Sequence, residues 1–172
     1  MFIGPRSDGG SRNYTGRVDT GVTYRRAEIA EIFHLRWRVL RPFMGQETAQ
    51  FDGDAAVTTR HYGAFETAER GRCVGCASFM LNAWQGESAW QLRGMATETA
   101  VQQRGVGAAL LRFVEGDIVS AASEHSGLPR LFWCNAREAA VGFYEKRGWR
   151  VVSEAFEVPT VGPHFRMMKR LG

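Results

Sequence analysis

Apolar positions along the chain change their period several times, and each change marks an element. Ile29, Ile32, Phe33 and Leu40 fall at helical spacing and predict a helix over 27–40 that Pro42 stops. Val22–Arg25 ahead of it reads as a strand, and GQETAQFDGD (45–54) reads as a loop by composition. Three apolar runs follow, His61–Phe65, Cys73–Leu81 and Ala89–Ala96, divided by the turn-rich segments ETAERGR (66–72) and NAWQGES (82–88). This spacing predicts an antiparallel meander. The helical period returns with Val106, Leu110, Phe113, Val114, Ile118 and Ala121 on one face. Gly116 inside that helix costs about 1 kcal/mol against alanine. Leu131–Cys134 is a continuous apolar run, as in a strand covered on both faces. Arg137–Arg147 reads as a helix ended by Gly148, and Trp149–Val158 and His164–Leu171 as two last strands around PTVGP (159–163). The order is β-α-loop-β-β-β-α-β-α-β-β. The strand–helix–strand unit across 89–134 is a crossover, so two strands should be parallel.

Composition narrows the class. The chain has 172 residues, 44% hydrophobic and 23% charged, which suits one α/β domain over 21–172. Residues 1–20, rich in Gly, Ser, Arg and Asn, are expected to be a disordered leader. No apolar run reaches the roughly 20 residues of a membrane helix, and the N-terminus lacks the pattern of a signal peptide. A cytoplasmic protein without membrane partners is expected. The net charge of +4 comes from 20 Arg and 2 Lys against 18 acids. Arginine's planar fork suits phosphates and carboxylates, so the charge fits an anionic ligand such as a nucleotide. A nucleic-acid-binding module is a reading that charge alone suggests, and no dense basic run favours it. Cys73 and Cys76 form a C-x-x-C, but no second pair completes a zinc site, and three apart on a strand they face opposite sides. With Cys134 they read as free thiols, and no metal is expected.

The chemistry concentrates in two segments. In the first, a strand runs through Met95-Ala96-Thr97 into a loop, and a helix opens at Gln102-Gln103-Arg104-Gly105-Val106-Gly107-Ala108. Gly105 and Gly107 remove side chains where the helix begins, so a ligand can approach the backbone. The free N–H groups of a first helical turn bind phosphate oxygens. A P-loop would need a Lys-Ser or Lys-Thr, and a dinucleotide fingerprint would need Gly at Leu110; neither is present. A plain helix start is the competing reading. In the second segment, a buried strand runs into Asn135, and Phe143-Tyr144-Glu145-Lys146-Arg147-Gly148-Trp149 ends the next helix. Asn135 with Glu138 fits a capping box, and Tyr144 fits either a core tyrosine or a residue reaching the cleft between two strands.

Together the two segments resemble the GNAT N-acetyltransferase superfamily over roughly residues 22–171. Gln102-Gln103-Arg104-Gly105-Val106-Gly107 matches its Q/R-x-x-G-x-G/A signature, and Asn135 with the Phe-Tyr-Glu-Lys-x-Gly-aromatic run matches a second. The resemblance implies a mixed, mostly antiparallel sheet with helices on both faces and a parallel strand pair that splays apart. It implies acetyl-coenzyme A as co-substrate. Main-chain amides of Gln103–Ala108 would hold the pyrophosphate, the edge Met95-Ala96-Thr97 would pair with the pantetheine arm, and Asn135 would touch that arm. Tyr144 would be the general acid that protonates the departing thiolate, a phenol of pKa near 10 being protonated at neutral pH. A primary amine, of a small molecule or a peptide, would attack the thioester directly. A homodimer is an assembly that the resemblance admits.

The general base stays open. His164, in Pro-His-x-x-Met, is similar to an ending of the ElaA-like branch, as is Leu35-Arg36…Val39-Leu40. His61, Glu98 and a chain of waters are the other candidates. The acids Glu47, Asp52 and Asp54 are candidates to attract a cationic amine, and Trp84 and Trp90 belong either to the core or to a hydrophobic wall. A noncatalytic domain that senses acyl-coenzyme A is the alternative to an enzyme.

Overall fold

A computed structural model describes residues 21–68, 71–124 and 127–172; the leader expected over 1–20 lies outside them. The strands are β1 (Val22–Ala27), β2 (Arg60–Glu66), β3 (Cys73–Leu81), β4 (Trp90–Thr97), β5 (Leu131–Arg137), β6 (Arg150–Val151), β7 (Phe156–Val158) and β8 (Gly162–Arg170). The helices are α1 (Ile29–Leu40), α2 (Val106–Glu124) and α3 (Val141–Glu145). The strands form one sheet in the order β1-β2-β3-β4-β5-β8-β6, with β7 also on β8. Every pairing is antiparallel except β4 with β5, the crossover pair spanned by α2.

Helices cover both faces of the sheet. On one, α1 lays Ile32 and Leu35 against Phe65, Cys76 and Ala96. On the other, α2 packs Leu110, Leu111, Val114 and Ile118 against Tyr62, Phe79, Trp90 and Phe132. That is why β2 and β3 are buried along nearly their whole length. The Glu28 backbone N–H donates to Glu31 Oε2 at 2.8 Å, which fixes where α1 begins. Cys76 and Cys134 lie in the two cores, where burial pushes each thiol up to about 12. They are held as inert thiols.

One irregularity shapes everything near the site. Cys76 of β3 opposes Ala96 of β4, and Ser78 opposes Arg93. Ala77 therefore faces two residues, Gly94 and Met95, and β4 carries a bulge. Gly94 has φ +60, the left-handed geometry such bulges demand. The extra residue reverses the alternation of side chains. Trp90 and Leu92 point to α2, whereas Ala96 points to α1. It also bends β4 where its pairing with β5 stops, at Leu92 and Cys134.

Three expectations need correction. The strand placed at 131–134 continues to Arg137, because β8 pairs with it along its whole length. Asn135 is consequently an exposed strand residue and not the cap of a helix, and no capping box forms with Glu138. The helix expected over 137–147 shrinks to α3, preceded by a 3-10 turn at Glu138–Ala140. The strand expected over 149–158 divides into β6 and β7. Between them the Val152 N–H still donates to the Arg166 carbonyl at 2.8 Å, but Ser153 Oγ accepts the Arg166 backbone N–H at 2.9 Å, so a side chain takes one of the ladder bonds.

The bulge gives the first prediction. A Cβ on Gly94 would stand 2.8 Å from Arg36 Nε and from Phe51 Cε2, both locked in place. Gly94→Ala combines a left-handed penalty with overpacking, and should cost about 2–4 kcal/mol. Urea unfolding measures it; wild-type stability would show that the strand does not need this bulge.

Candidate active site

Beyond Leu92 and Cys134, β4 and β5 separate. The β5-facing edge of β4, over Arg93–Thr97, and the β4-facing edge of β5, over Asn135–Arg137, are left without a ladder between them. Interior main-chain groups need partners, so this V-shaped gap is a place for a ligand that brings its own amides. The Thr97 carbonyl is already taken by the Gln102 side-chain amide at 3.1 Å, which ties the following loop to the end of β4.

The loop leads to the start of α2. The first α-helical bond runs from Ala109 N–H to the Gly105 carbonyl, 2.9 Å. The N–H groups of Gly105, Val106, Gly107 and Ala108 precede it and have no carbonyl inside the helix. Gln103 and Gly105 adopt φ +63 and +83, a backbone that turns successive amides outward. Gln102 and Arg104 differ: their amides bond to Glu98, Thr99 and Val101 carbonyls and close the turn. Gly107 has a packing reason as well. Its Cβ would stand 3.0 Å from Thr97 Oγ1 and 3.5 Å from the Phe143 ring. The end of β4, the start of α2 and α3 meet there.

Tyr144 lies at the base of the gap. Its hydroxyl is 3.7 Å from Met95 Sδ on the β4 wall. Phe143 and Trp149 flank the ring with centroids at 5.1 and 5.4 Å. Trp149 is itself fixed, its Nε1 donating to Glu115 at 3.2 Å, and Glu115 pairs with Lys169 at 2.8 Å. Burial, with the Cys134 thiol nearby, raises the Tyr144 phenol well above its ordinary value. The group is an O–H donor at any physiological pH.

On the opposite face, α1 spans the mouth of the gap. Arg38 pairs with Glu98 just past β4. Arg137 of β5 donates to the Leu40 carbonyl at 2.8 Å. The loop after α1 is anchored by Arg36, which is fully buried. It pairs with Asp54 at 2.5 Å, donates to Ser78 Oγ and the Ala49 carbonyl, and lies over Phe51. Asp54 is therefore committed to Arg36 rather than to a passing amine. His61 belongs to the same cluster: Nδ1 meets Ser78 Oγ at 2.7 Å and Nε2 meets the Asp54 carbonyl at 3.0 Å. Both its nitrogens are used. Glu47 and Asp52 stay exposed on the loop.

His164 is buried on β8, directly across from Arg137. Its Nδ1–H donates to the Gly162 carbonyl at 2.8 Å, which leaves Nε2 as an acceptor. Trp90 is core, and Trp84 packs on Trp133 at 5.2 Å. The sequence reading assigns no structural role to Gly94 at the bulge, to Arg36 as the buried anchor or to Phe143 against Gly107. A lone glycine inside a strand pattern was the available signal for the first; nothing in the pattern marks a buried arginine.

Comparison with known proteins agrees with this geometry. Residues 26–149 match the acetyltransferase (GNAT) family. The chain is 32% identical over 146 residues to the uncharacterized N-acetyltransferase YitI of Bacillus subtilis, covering 83% of this chain and 92% of that one. The crystal structure of Escherichia coli ElaA superposes with a TM-score of 0.66 at 15% identity, covering 86% of this chain and 99% of the other. An aminoglycoside 6'-N-acetyltransferase complexed with coenzyme A gives 0.61 at 15%, covering 86% and 96%. A sheet parted at β4 and β5, a glycine-opened helix at its end and the match along most of the chain have one meaning: this protein belongs to the GNAT acetyltransferase family.

Proposed function

We propose that residues 21–172 form one domain that moves an acetyl group from acetyl-coenzyme A to a primary amine by direct attack. The observation that carries this reading is the gap between β4 and β5, with an amide-lined helix start at one end and a buried phenol at its base. The amides of Gln103 and Gly105–Ala108 hold the pyrophosphate, assisted by the positive end of α2. The edges of Met95 and Ala96 pair with the pantetheine arm, and Asn135 meets it from the other wall. Arg112 and Arg147 are close enough for the Arg112 charge to add to burial in lowering the Arg147 guanidinium. An anionic nucleotide relieves that repulsion on the α2–α3 face.

The chemistry follows from proton positions. The amine loses a proton, and its nitrogen attacks the thioester carbon. The C–S bond breaks, the sulfur takes the proton of the Tyr144 hydroxyl, and the second proton shed by the nitrogen as it becomes an amide restores that hydroxyl through water. Burial raises the basicity of a thiolate in that gap as it raises the phenol, so the two remain matched enough for transfer. Backbone N–H groups of the β4 edge stabilise the oxyanion. His164 Nε2 is the candidate base. Cys134 stands beside the site, but a thiol pushed up to about 12 by burial is a poor nucleophile, which favours direct attack over an acetyl-cysteine intermediate.

Three outcomes are expected, two of them read as release of free coenzyme A thiol and the third as binding. Tyr144→Phe lowers kcat by about 10²–10⁴-fold with little change in acetyl-coenzyme A affinity; full turnover would remove Tyr144 as the acid. Cys134→Ala retains turnover of the wild-type order, whereas abolition would point to a covalent intermediate. Gly105→Ala acts through the backbone alone, since no atom lies within 4 Å of the new Cβ. The free loop escapes its left-handed penalty by turning the amides away and must meet it again to bind, which should weaken acetyl-coenzyme A about five- to thirtyfold by calorimetry. Unchanged affinity would displace the coenzyme from this loop.

A further inference from the structure

The mouth of the gap on the α1 face carries positive charge that the protein does not balance. Two acids that approach this region each have a guanidinium of their own, while the Asp52 carboxylate stays exposed on the loop. Asp54 is held by buried Arg36. Glu98 is held by Arg38. Arg93 is lowered by burial, and its Nη1 donates to the Asp52 main-chain carbonyl at 2.6 Å. Besides Arg93, two guanidiniums are left over, Arg41 and Arg137. Among the described residues neither has a carboxylate within ion-pair distance.

These two converge. Arg41 Nη1 and Arg137 Nη2 both donate to one oxygen, the Leu40 carbonyl, at 3.1 and 2.8 Å. That carbonyl ends α1, and a single cation suffices to stabilise a helix C-terminus. A second, brought in from β5 and partly desolvated, adds repulsion. Burial first, and then the Arg137 charge, lowers the Arg41 guanidinium. Each fork uses one of its five N–H groups on Leu40, which leaves several for a ligand. Arg137 is also the direct cross-strand neighbour of His164 and so shares its face of the sheet. The paired cations thus stand on the wall that carries the candidate base, opposite the α2–α3 face where Arg112 and Arg147 meet.

We infer that Arg41 and Arg137 form an anion-binding pair for the acceptor, and that the acceptor is a small amine carrying a carboxylate. The inference rests on the acetyl-transfer reading above and supplies its substrate class. It stands beside the expectation that Glu47, Asp52 and Asp54 attract a cationic amine, of which Asp54 is committed to Arg36. A carboxylate accepts from both forks, cancels their repulsion and leaves the amine directed away from the α1 terminus toward the gap.

The test uses thiol release from acetyl-coenzyme A with three series of acceptors. These are free α-amino acids, their α-carboxamides, and the α-carboxamides of aspartate and glutamate, which keep only a side-chain carboxylate. At least one carboxylate-bearing series should exceed the neutral carboxamides about tenfold or more in kcat/KM, and the series that does so identifies which carboxylate is read. In Arg137→Gln and Arg41→Gln that ratio should fall toward one, while Arg137→Lys keeps part of it. The ratio is taken within each variant, so a smaller folded fraction cancels. Neutral carboxamides accepted as well as carboxylates overturn the inference and leave acetyl transfer standing, as does a ratio that survives both glutamine variants. No thiol release from any of these series, with a polyamine or a peptide N-terminus acetylated, overturns the inference alone; acetyl-coenzyme A bound with no release to any of these amines overturns both.

Discussion

The structure turns on the place where two parallel strands stop bonding to each other. β4 and β5 share a ladder only from Trp90 to Leu92 and from Phe132 to Cys134. Past that point their facing edges carry main-chain donors and acceptors that no strand satisfies. An unpaired buried amide costs about as much as a lost hydrogen bond, so such an opening persists only where surrounding packing imposes it. Here the imposing feature is the Gly94 bulge, kept in position by Arg36 and Phe51 on one face and by β3 behind it.

Much else follows from that opening. The bulge turns Met95 toward α3, where its sulfur meets the Tyr144 hydroxyl. Gly107 lets Thr97, α2 and Phe143 close on one another, so the amides at the start of α2 and the phenol on α3 are parts of one rigid corner. From the other face α1 grips both lips, Glu98 through Arg38 and Arg137 through the Leu40 carbonyl. A ligand threaded between the strands thus meets fixed groups on every side, and little need be reorganised at the moment of reaction.

How much of this could be read from the residues alone depends on whether a feature is local. The meander, α1 and α2 are written in apolar period, and Gly105 with Gly107 marks where α2 begins, because those signals lie within a few residues. The resemblance of two motifs supplied the splayed pair. What failed was set by distant partners. Asn135 looks like a cap until β8 arrives to extend β5 through Arg137. Asp54 looks free to attract a cationic amine until Arg36, eighteen residues earlier, claims it. Arg41 and Arg137 lie far apart in the chain, and only folding brings them to one carbonyl. Glycine in the β4 run hinted at a bulge, but its register required β3.

The central claim is that the parted edges and the start of α2 are one continuous binding surface for the coenzyme. Amide hydrogen exchange, followed residue by residue with and without coenzyme A, addresses it directly. Slowed exchange should appear together at Gln103, at Gly105–Ala108 and along the gap-facing edge of β4, with β1 and β6 unaffected. Protection confined to another face, or none in the gap at saturating coenzyme A, would contradict it.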